Sequence, residues 1–255
     1  MASARWGLWV PPSRRHVLPL TGEAENVELK VVVPDHHRRS LRLGRHRARV
    51  RRVYFLDTPD LALDRHGLIV RVRATDGRPD DTAVKLRPMT VDPAPKWLRR
   101  ARNFEVEIDA LPGHRVCSGS MKVRLGHGDV DRTLKNREPL ASLLTSRQRR
   151  LIETYGPPSI AIGDLRALGP VEVRRYRFVP SALGAPLTVE RWSYPDGSTL
   201  LELSTRCPVG HAADVGERLS ALLRDYGIAP ARSQRTKTDL TLRYFTGETG
   251  RATAA

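Results

Sequence analysis

Charged residues recur at every second position in four short stretches of this chain. They are Asn26-Val27-Glu28-Leu29-Lys30, Ile69-Val70-Arg71-Val72-Arg73, Ala83-Val84-Lys85-Leu86-Arg87 and Phe104-Glu105-Val106-Glu107-Ile108-Asp109. A period of two puts all the charges of a strand on one face and its apolar residues on the other. One such strand is an ordinary half-solvated strand. Here some faces are acidic, others are basic, and several carry two charges two positions apart. Both signs on one sheet surface point to a site for a multiply charged anion and its metal counter-ions.

The elements that must hold these faces are mostly extended. Strands are predicted at about 25–33, 47–56, 68–75, 82–88, 103–110, 170–179, 186–194 and 198–206. A short helix fits 35–43. Thr58-Pro59-Asp60 opens a compact helical turn, with proline at its first helical position and Gly67 just beyond its end. Arg78-Pro79-Asp80-Asp81 has the composition of a hairpin turn, and 88–101, with three prolines, reads as a loop. Gly113–Arg137 is glycine-rich and irregular, and no element is assigned to it. Pro139–Tyr155 is a predicted helix with a leucine stripe, ended by Gly156-Pro157-Pro158. A second amphipathic helix covers 211–226, and 236–245 is either helical or extended. This order describes two β-rich halves, each backed by a helix, which make one domain if the strands close into a barrel with the charged faces inward. The expected organisation is a flexible arm over 1–22, a single domain over 23–246 and a disordered tail over 247–255.

Composition narrows the partners. The 255 residues carry 44 Lys and Arg against 28 Asp and Glu, a formal charge of +16, which favours an acidic partner. Only six of the basic residues are lysine. Arginine suits bidentate phosphate recognition, although a GC-rich genome produces the same bias. Cys117 and Cys207 are far apart and in no C-x-x-C arrangement, which argues against a disulfide framework or zinc knuckle and fits a reducing cytoplasm. The Ser13–Leu18 stretch brushes against a twin-arginine signal, but the apolar run after it stops at Leu20. No run approaches the ~18 apolar residues of a membrane span, and 5% aromatic residues supply no girdles for an outer-membrane barrel. Nucleic acid is disfavoured as a partner because interleaved stacking aromatics are missing. His36, His37 and His46 read as solvated surface, since adjacent histidines face different sides. Gly126-x-Gly128 with Asp129 and Asp131 lacks the context of a phosphate loop or EF-hand.

The stretch Tyr54-Phe55-Leu56-Asp57-Thr58-Pro59-Asp60-Leu61-Ala62-Leu63, followed by Gly67-Leu68-Ile69-Val70-Arg71-Val72-Arg73, resembles the "Y-F-D-T-P-D-L-x-L … G-x-x-L-R-x-R" block of the CYTH superfamily, the triphosphate tunnel metalloenzymes. Glu28-Leu29-Lys30 is similar to the end of that family's E-x-E-x-K signature. Lys85 and Arg87, Glu105 and Glu107, Arg175 and Arg177, Glu190, Glu202 and Lys237 fall in order where the family has tunnel-facing residues. The resemblance runs from about 25 to 245. It implies an α+β, β-rich fold: an antiparallel eight-stranded β-tunnel with helices packed outside. It also implies cleavage of inorganic triphosphate, thiamine triphosphate or a nucleotide with Mg²⁺ or Mn²⁺. On this reading Glu28, Glu105, Glu107 and Glu202 are metal ligands. Lys30, Arg71, Arg73, Lys85, Arg87, Arg175 and Arg177 clamp phosphates, and Lys237 covers the site.

Elementary physics agrees with that chemistry. Burying a triphosphate requires several fixed cations, and Arg71, Arg73, Lys85 and Arg87 supply them from adjacent strands. Glu105 and Glu107, sharing a strand face, can hold one hard cation by oxygen ligation, which shields the phosphate and activates a water. Two departures matter. Asn26 stands at the first glutamate of E-x-E-x-K, and Glu202-Leu203-Ser204 stands for a paired E-x-E on a late strand. Both weaken metal ligation, so at most one well-formed metal site is expected, while polyanion binding survives. The alternatives to a triphosphatase are a catalytically degenerate polyphosphate- or nucleotide-binding module and an adenylate cyclase of the class IV type. Strand parity leaves open whether Arg174 or the Arg175/Arg177 pair faces inward. The oligomeric state is also left open.

Overall fold

Alternation of apolar and charged residues resolves into nine strands in a computed structural model that describes residues 24–89 and 95–247. The arm over 1–22, with its Ser13–Leu18 stretch, lies outside the described residues, as does the tail beyond Gly247. The strands are β1 (Asn26–Val33), β2 (Arg49–Asp57), β3 (Leu68–Thr75), β4 (Asp81–Leu86), β5 (Phe104–Leu111), β6 (His114–Arg124), β7 (Arg166–Phe178), β8 (Leu187–Ser193) and β9 (Thr199–Pro208). They close in the order β1-β5-β6-β4-β3-β2-β7-β8-β9, with β9 returning to β1. The helices are α1 (Ala62–Arg65), α2 (Lys96–Arg99), α3 (Asp129–Lys135), α4 (Ser146–Tyr155), α5 (Ala212–Asp225) and α6 (Lys237–Thr246).

The closed, β-rich architecture with helices matches the expectation, but its strand count and directions do not. The ninth strand is β6, within the segment left unassigned. Its outward Gly119 sits under the Phe104 ring and the Met89 Sδ, where a Cβ would collide with both, and its inward Ser118 and Ser120 are small. Glycine and serine carry no strand signal in the sequence, so the pairing of β6 with β4 and β5 came from its neighbours. A ring with an odd number of strands cannot alternate direction all the way round. One parallel pair is therefore unavoidable, and it is β1 with β5, where Glu28 lies opposite Asp109.

Each half is backed by a helix as the pattern predicts. Val215, Leu219, Leu222 and Leu223 of α5 pack on the outer faces of β1, β8 and β9. Leu151 and Ile152 of α4 pack with Val70, Val72 and Val84 of β3 and β4. The predicted helix 139–155 is divided: a 3-10 turn at Leu140–Leu143 precedes α4. The break is a capping box. The Gln148 N–H donates to Thr145 Oγ1 at 3.3 Å, and the Thr145 N–H donates to Gln148 Oε1 at 3.1 Å. Thr145→Ala is expected to cost ~1 kcal/mol, read as a melting temperature lower by roughly 2–4 °C. The 236–245 segment, open between helix and strand, is α6, and α2 sits in the predicted loop 88–101.

Asp57 explains why the Tyr54–Leu63 stretch is so distinctive. Its buried carboxylate accepts the Thr58, Leu63 and Asp64 N–H groups at 2.7, 2.9 and 3.0 Å. It thereby satisfies the open N-terminus of α1. Burial pushes this carboxyl up, and the three N–H bonds pull the other way. The motif aspartate is thus a scaffold residue that fixes the turn between β2 and β3. His37, expected at the surface, is buried and accepts the Ala229 N–H at 3.4 Å. No helix among the described residues is long and apolar enough to cross a membrane.

Candidate functional site

The inward faces of the strands enclose a cavity of about 470 Å³, within the range of small-molecule sites (~300–1,000 Å³). Glu28, Lys30, Arg71, Arg73, Lys85, Arg87, Glu107, Arg175, Arg177, Glu202 and Lys237 all line it. Glu105 does not. It lies out at the rim, 2.9 Å from Lys122 and 3.9 Å from Arg206. The parity of β7 is settled by its register: Arg175 lies opposite Glu190, while Arg174 is exposed and bonds Glu172 at 3.0 Å. Eleven lysines and arginines line the cavity against four carboxylates, so the lumen is electropositive.

Two carboxylates organise these cations. Asp109, fully buried, receives Lys30 Nζ at 2.6 Å and Lys85 Nζ at 2.7 Å, and Arg87 lies at 3.3 Å. Burial alone would raise its pKa, but Lys30, Lys85 and Arg87 hold it far below the carboxylate range. Burial likewise works against the Lys30 ammonium, and Glu28 at 2.9 Å together with Asp109 raises it above its ordinary value. Lys85 goes the other way: burial lowers it, Asp109 only partly offsets this, and Lys30 adds repulsion. Glu190 is the second hub, bonded to Lys237 at 2.6 Å and facing Arg175 at 3.4 Å and Arg51 at 3.8 Å. Burial opposes its ionisation, yet Lys237 and Arg51 keep it strongly acidic. Lys237, the first residue of α6, also bonds Glu202 at 2.8 Å.

Arg71 is different. Among the described residues its side chain makes no hydrogen bond or ion pair, and its Nε is buried without a partner. Burial, with repulsion from Arg73, pushes its guanidinium down to about 10. Arg51 Nε, Ser120 Oγ and Glu202 Oε2 are also buried and unsatisfied. Unmet polar groups inside a protein are costly. A cluster of them around one cavity describes a surface made for a charged ligand.

Glu28, Glu107 and Asp109 each bring a carboxylate oxygen within 4.8 Å of the others. Hard oxygen donors at this spacing fit one divalent cation, and Lys30 and Lys85 bond the same three carboxylates. Glu107 therefore finds its acidic partners on its own strand and on β1 rather than in Glu105. Asp109 and Arg51 were not singled out from the sequence. Asp109 continues the alternation of Glu105 and Glu107, which is the signal that marks it. Of the two departures, Ser204 lines the cavity and Asn26 opens β1 beyond the lining.

The fold is a closed barrel with a charged lumen and helices outside. Two solved structures share it. A candidate adenylyl cyclase from Hippeastrum, described as having a dominant triphosphatase activity, superposes with a TM-score of 0.60 at 19% identity, covering 85% of this chain and 94% of that one. A candidate adenylate cyclase from Bacillus halodurans superposes with a TM-score of 0.56 at 16% identity, covering 84% and 95%. No family model and no curated protein matches the sequence.

Proposed function

We propose that the lumen binds the triphosphate group of a small molecule and that the protein is a metal-dependent phosphohydrolase acting on it, as a single tunnel domain in the cytoplasm. The observation that carries this reading is the unpaired Arg71 inside a cavity with eleven cations and four carboxylates. A polyanion supplies the missing negative charge, and its oxygens accept charge-assisted bonds from Arg71, Arg73 and Arg51. The Hippeastrum protein's triphosphatase activity supports the same substrate class. Glu28, Glu107 and Asp109 would hold one Mg²⁺ or Mn²⁺, which supplies phosphate shielding and an activated water. Lys30 and Lys85, displaced from those carboxylates, are placed to donate to phosphate oxygens. Lys237, fixed by Glu190 and Glu202, presents its ammonium at the inner end.

A binding module without turnover is the second reading. Ser204 stands in the lining where a carboxylate would strengthen metal ligation, and Lys30 and Lys85 already neutralise the carboxylate cluster. Phosphate release from inorganic triphosphate, thiamine triphosphate and ATP with Mg²⁺ or Mn²⁺ separates the two, with cyclic nucleotide assayed alongside as the product of a cyclase. We expect phosphate release by the wild type, increased in Asn26→Glu/Ser204→Glu. Release by the double variant alone would leave the binding module, and release of cyclic product from ATP would make the protein a cyclase.

A further inference from the structure

From His36 to Leu56 the chain carries eight arginines and no acidic residue. Arg51 enters the lumen, and Arg52 pairs outside with Asp76 and Asp131. The other six run from the first turn after β1 to the start of β2. Their neighbours pin this segment to the barrel. Leu41 and Leu43 are buried in one cluster with residues of α5, and His46 stacks on Phe178 of β7 with ring centroids 4.1 Å apart. Asp35 accepts Arg191 of β8 at 2.7 Å and Arg38 at 2.6 Å. The arginines between these anchors thus stand on a fixed backbone rather than on a loose solvated run.

They converge on an outer groove of about 530 Å³, on the reverse of the β7–β8 wall of the lumen. Arg38, Arg39, Arg42, Arg45 and Arg191 line it, with no carboxylate among the described lining residues. Arg38 and Arg191 share Asp35, whereas the side chains of Arg39, Arg42 and Arg45 have no ion pair or hydrogen bond among the described residues. Like charges gathered this way repel one another until an anion joins them. The apolar wall is Leu43 and Tyr176, whose ring faces outward because its neighbours Arg175 and Arg177 face the lumen. Two backbone features serve the groove rather than the turn. Arg42 is left-handed, with φ 49° and ψ 38°, a conformation that a side chain disfavours and that clusters at ligand clamps. Glycine takes it freely, yet the glycine here is Gly44, whose φ lies outside the left-handed region and where an added Cβ would meet nothing within 4 Å. Its missing side chain leaves the groove open.

We propose that this groove is a second binding site, separate from the lumen, for a small phosphomonoester that carries a flat ring, in chemical terms a nucleotide. Arg39, Arg42 and Arg45 take the phosphate in charge-assisted bonds, and the ring lies against Tyr176 and Leu43. The space suffices, since small-molecule sites begin at ~300 Å³. A concave groove between a turn and a sheet face favours such a ligand over a flat anionic surface. The inference stands independently of the substrate assigned to the lumen.

Calorimetric titration without divalent metal tests this with AMP, adenosine, inorganic phosphate and a single-stranded oligonucleotide lacking terminal phosphates. We expect AMP to bind at least about tenfold more tightly than adenosine or inorganic phosphate, a difference of about 1.4 kcal/mol. Arg39→Ala/Arg42→Gly/Arg45→Ala should lose this binding by at least about tenfold. Gly44→Leu, which adds bulk and alters no charge, should lose it as well. Tyr176→Leu should weaken AMP by at least about threefold without changing inorganic phosphate. Arg71→Met, inside the lumen, should keep AMP binding, and unchanged binding of inorganic triphosphate shows that the outer variants are folded. AMP binding that survives the outer variants and falls in Arg71→Met would belong to the lumen and overturn the groove, as would no AMP binding by the wild type. Inorganic phosphate or the oligonucleotide binding as tightly as AMP would make the groove a reader of charge alone and overturn the nucleotide.

Discussion

Arg71→Met is expected to lose triphosphate binding by at least about a hundredfold while raising the melting temperature of the ligand-free protein. The two effects have one cause. Arg71 holds a cation inside the barrel with no ion-pair partner among the described residues, and burial with Arg73 nearby pushes its pKa down to about 10. A base whose folded pKa lies below its unfolded value carries a folding cost that is fully present below the folded pKa. Here that means every pH below about 10, with relief as pH rises through it. Methionine keeps the length and removes the charge. Replacing buried charge by apolar side chains is stabilising by ~1–4 kcal/mol in favourable cases, and each kcal/mol moves the melting temperature of a domain this size by roughly 2–4 °C. Saturating triphosphate should reverse the order, stabilising wild type far more than the variant. Thermal melts with and without inorganic triphosphate at pH 7 read both effects. A destabilised ligand-free variant would mean that Arg71 has a partner in solution, and unchanged affinity would remove it from the site.

Much of the lumen was legible because it depends on parity within one strand. β3 has its predicted bounds, and Glu28, Lys30, Arg71, Arg73, Lys85 and Arg87 face inward as their alternation requires. What escaped depends on register between strands. Arg51 and Arg52 are adjacent, so one must face each way, and nothing local says which. Pairing sends Arg52 outward to Asp76 and Asp131 and Arg51 inward to Glu190. Asp109 looks like a third acidic residue on β5 until β1 and β4 bring Lys30 and Lys85 to it from 79 and 24 residues away. β6 escaped for the opposite reason. Its small residues are demanded by Phe104 and Met89 on one side and by the cavity on the other, and neither demand leaves a hydrophobic pattern.

Asp109→Asn should be the most destabilising single change in the lumen. It is nearly isosteric, so the loss is electrostatic: Lys30, Lys85 and Arg87 keep their charges and lose the carboxylate they share. Breaking a buried pair by removing one partner costs ~3–5 kcal/mol, and here three cations are left. The pH dependence identifies the source. Because the folded pKa of Asp109 is strongly depressed, its contribution is fully present above the unfolded value near 3.9 and is lost as pH falls through the folded pKa. The gap between wild type and variant should therefore be widest at neutral pH and close in acid, with Glu190 leaving both proteins some acid sensitivity. Triphosphate should narrow the neutral-pH gap, since its oxygens replace the lost charge for Lys30 and Lys85. Any Mg²⁺-dependent gain in triphosphate affinity should disappear, because Asp109 supplies one of the three clustered oxygens. Melts from neutral pH down to about pH 1.5, with triphosphate and Mg²⁺ added in turn, separate these effects. A gap unchanged by pH would place the cost in lost packing instead. A Mg²⁺ effect that survives would move the cation to Glu202, whose second oxygen is buried and unpaired.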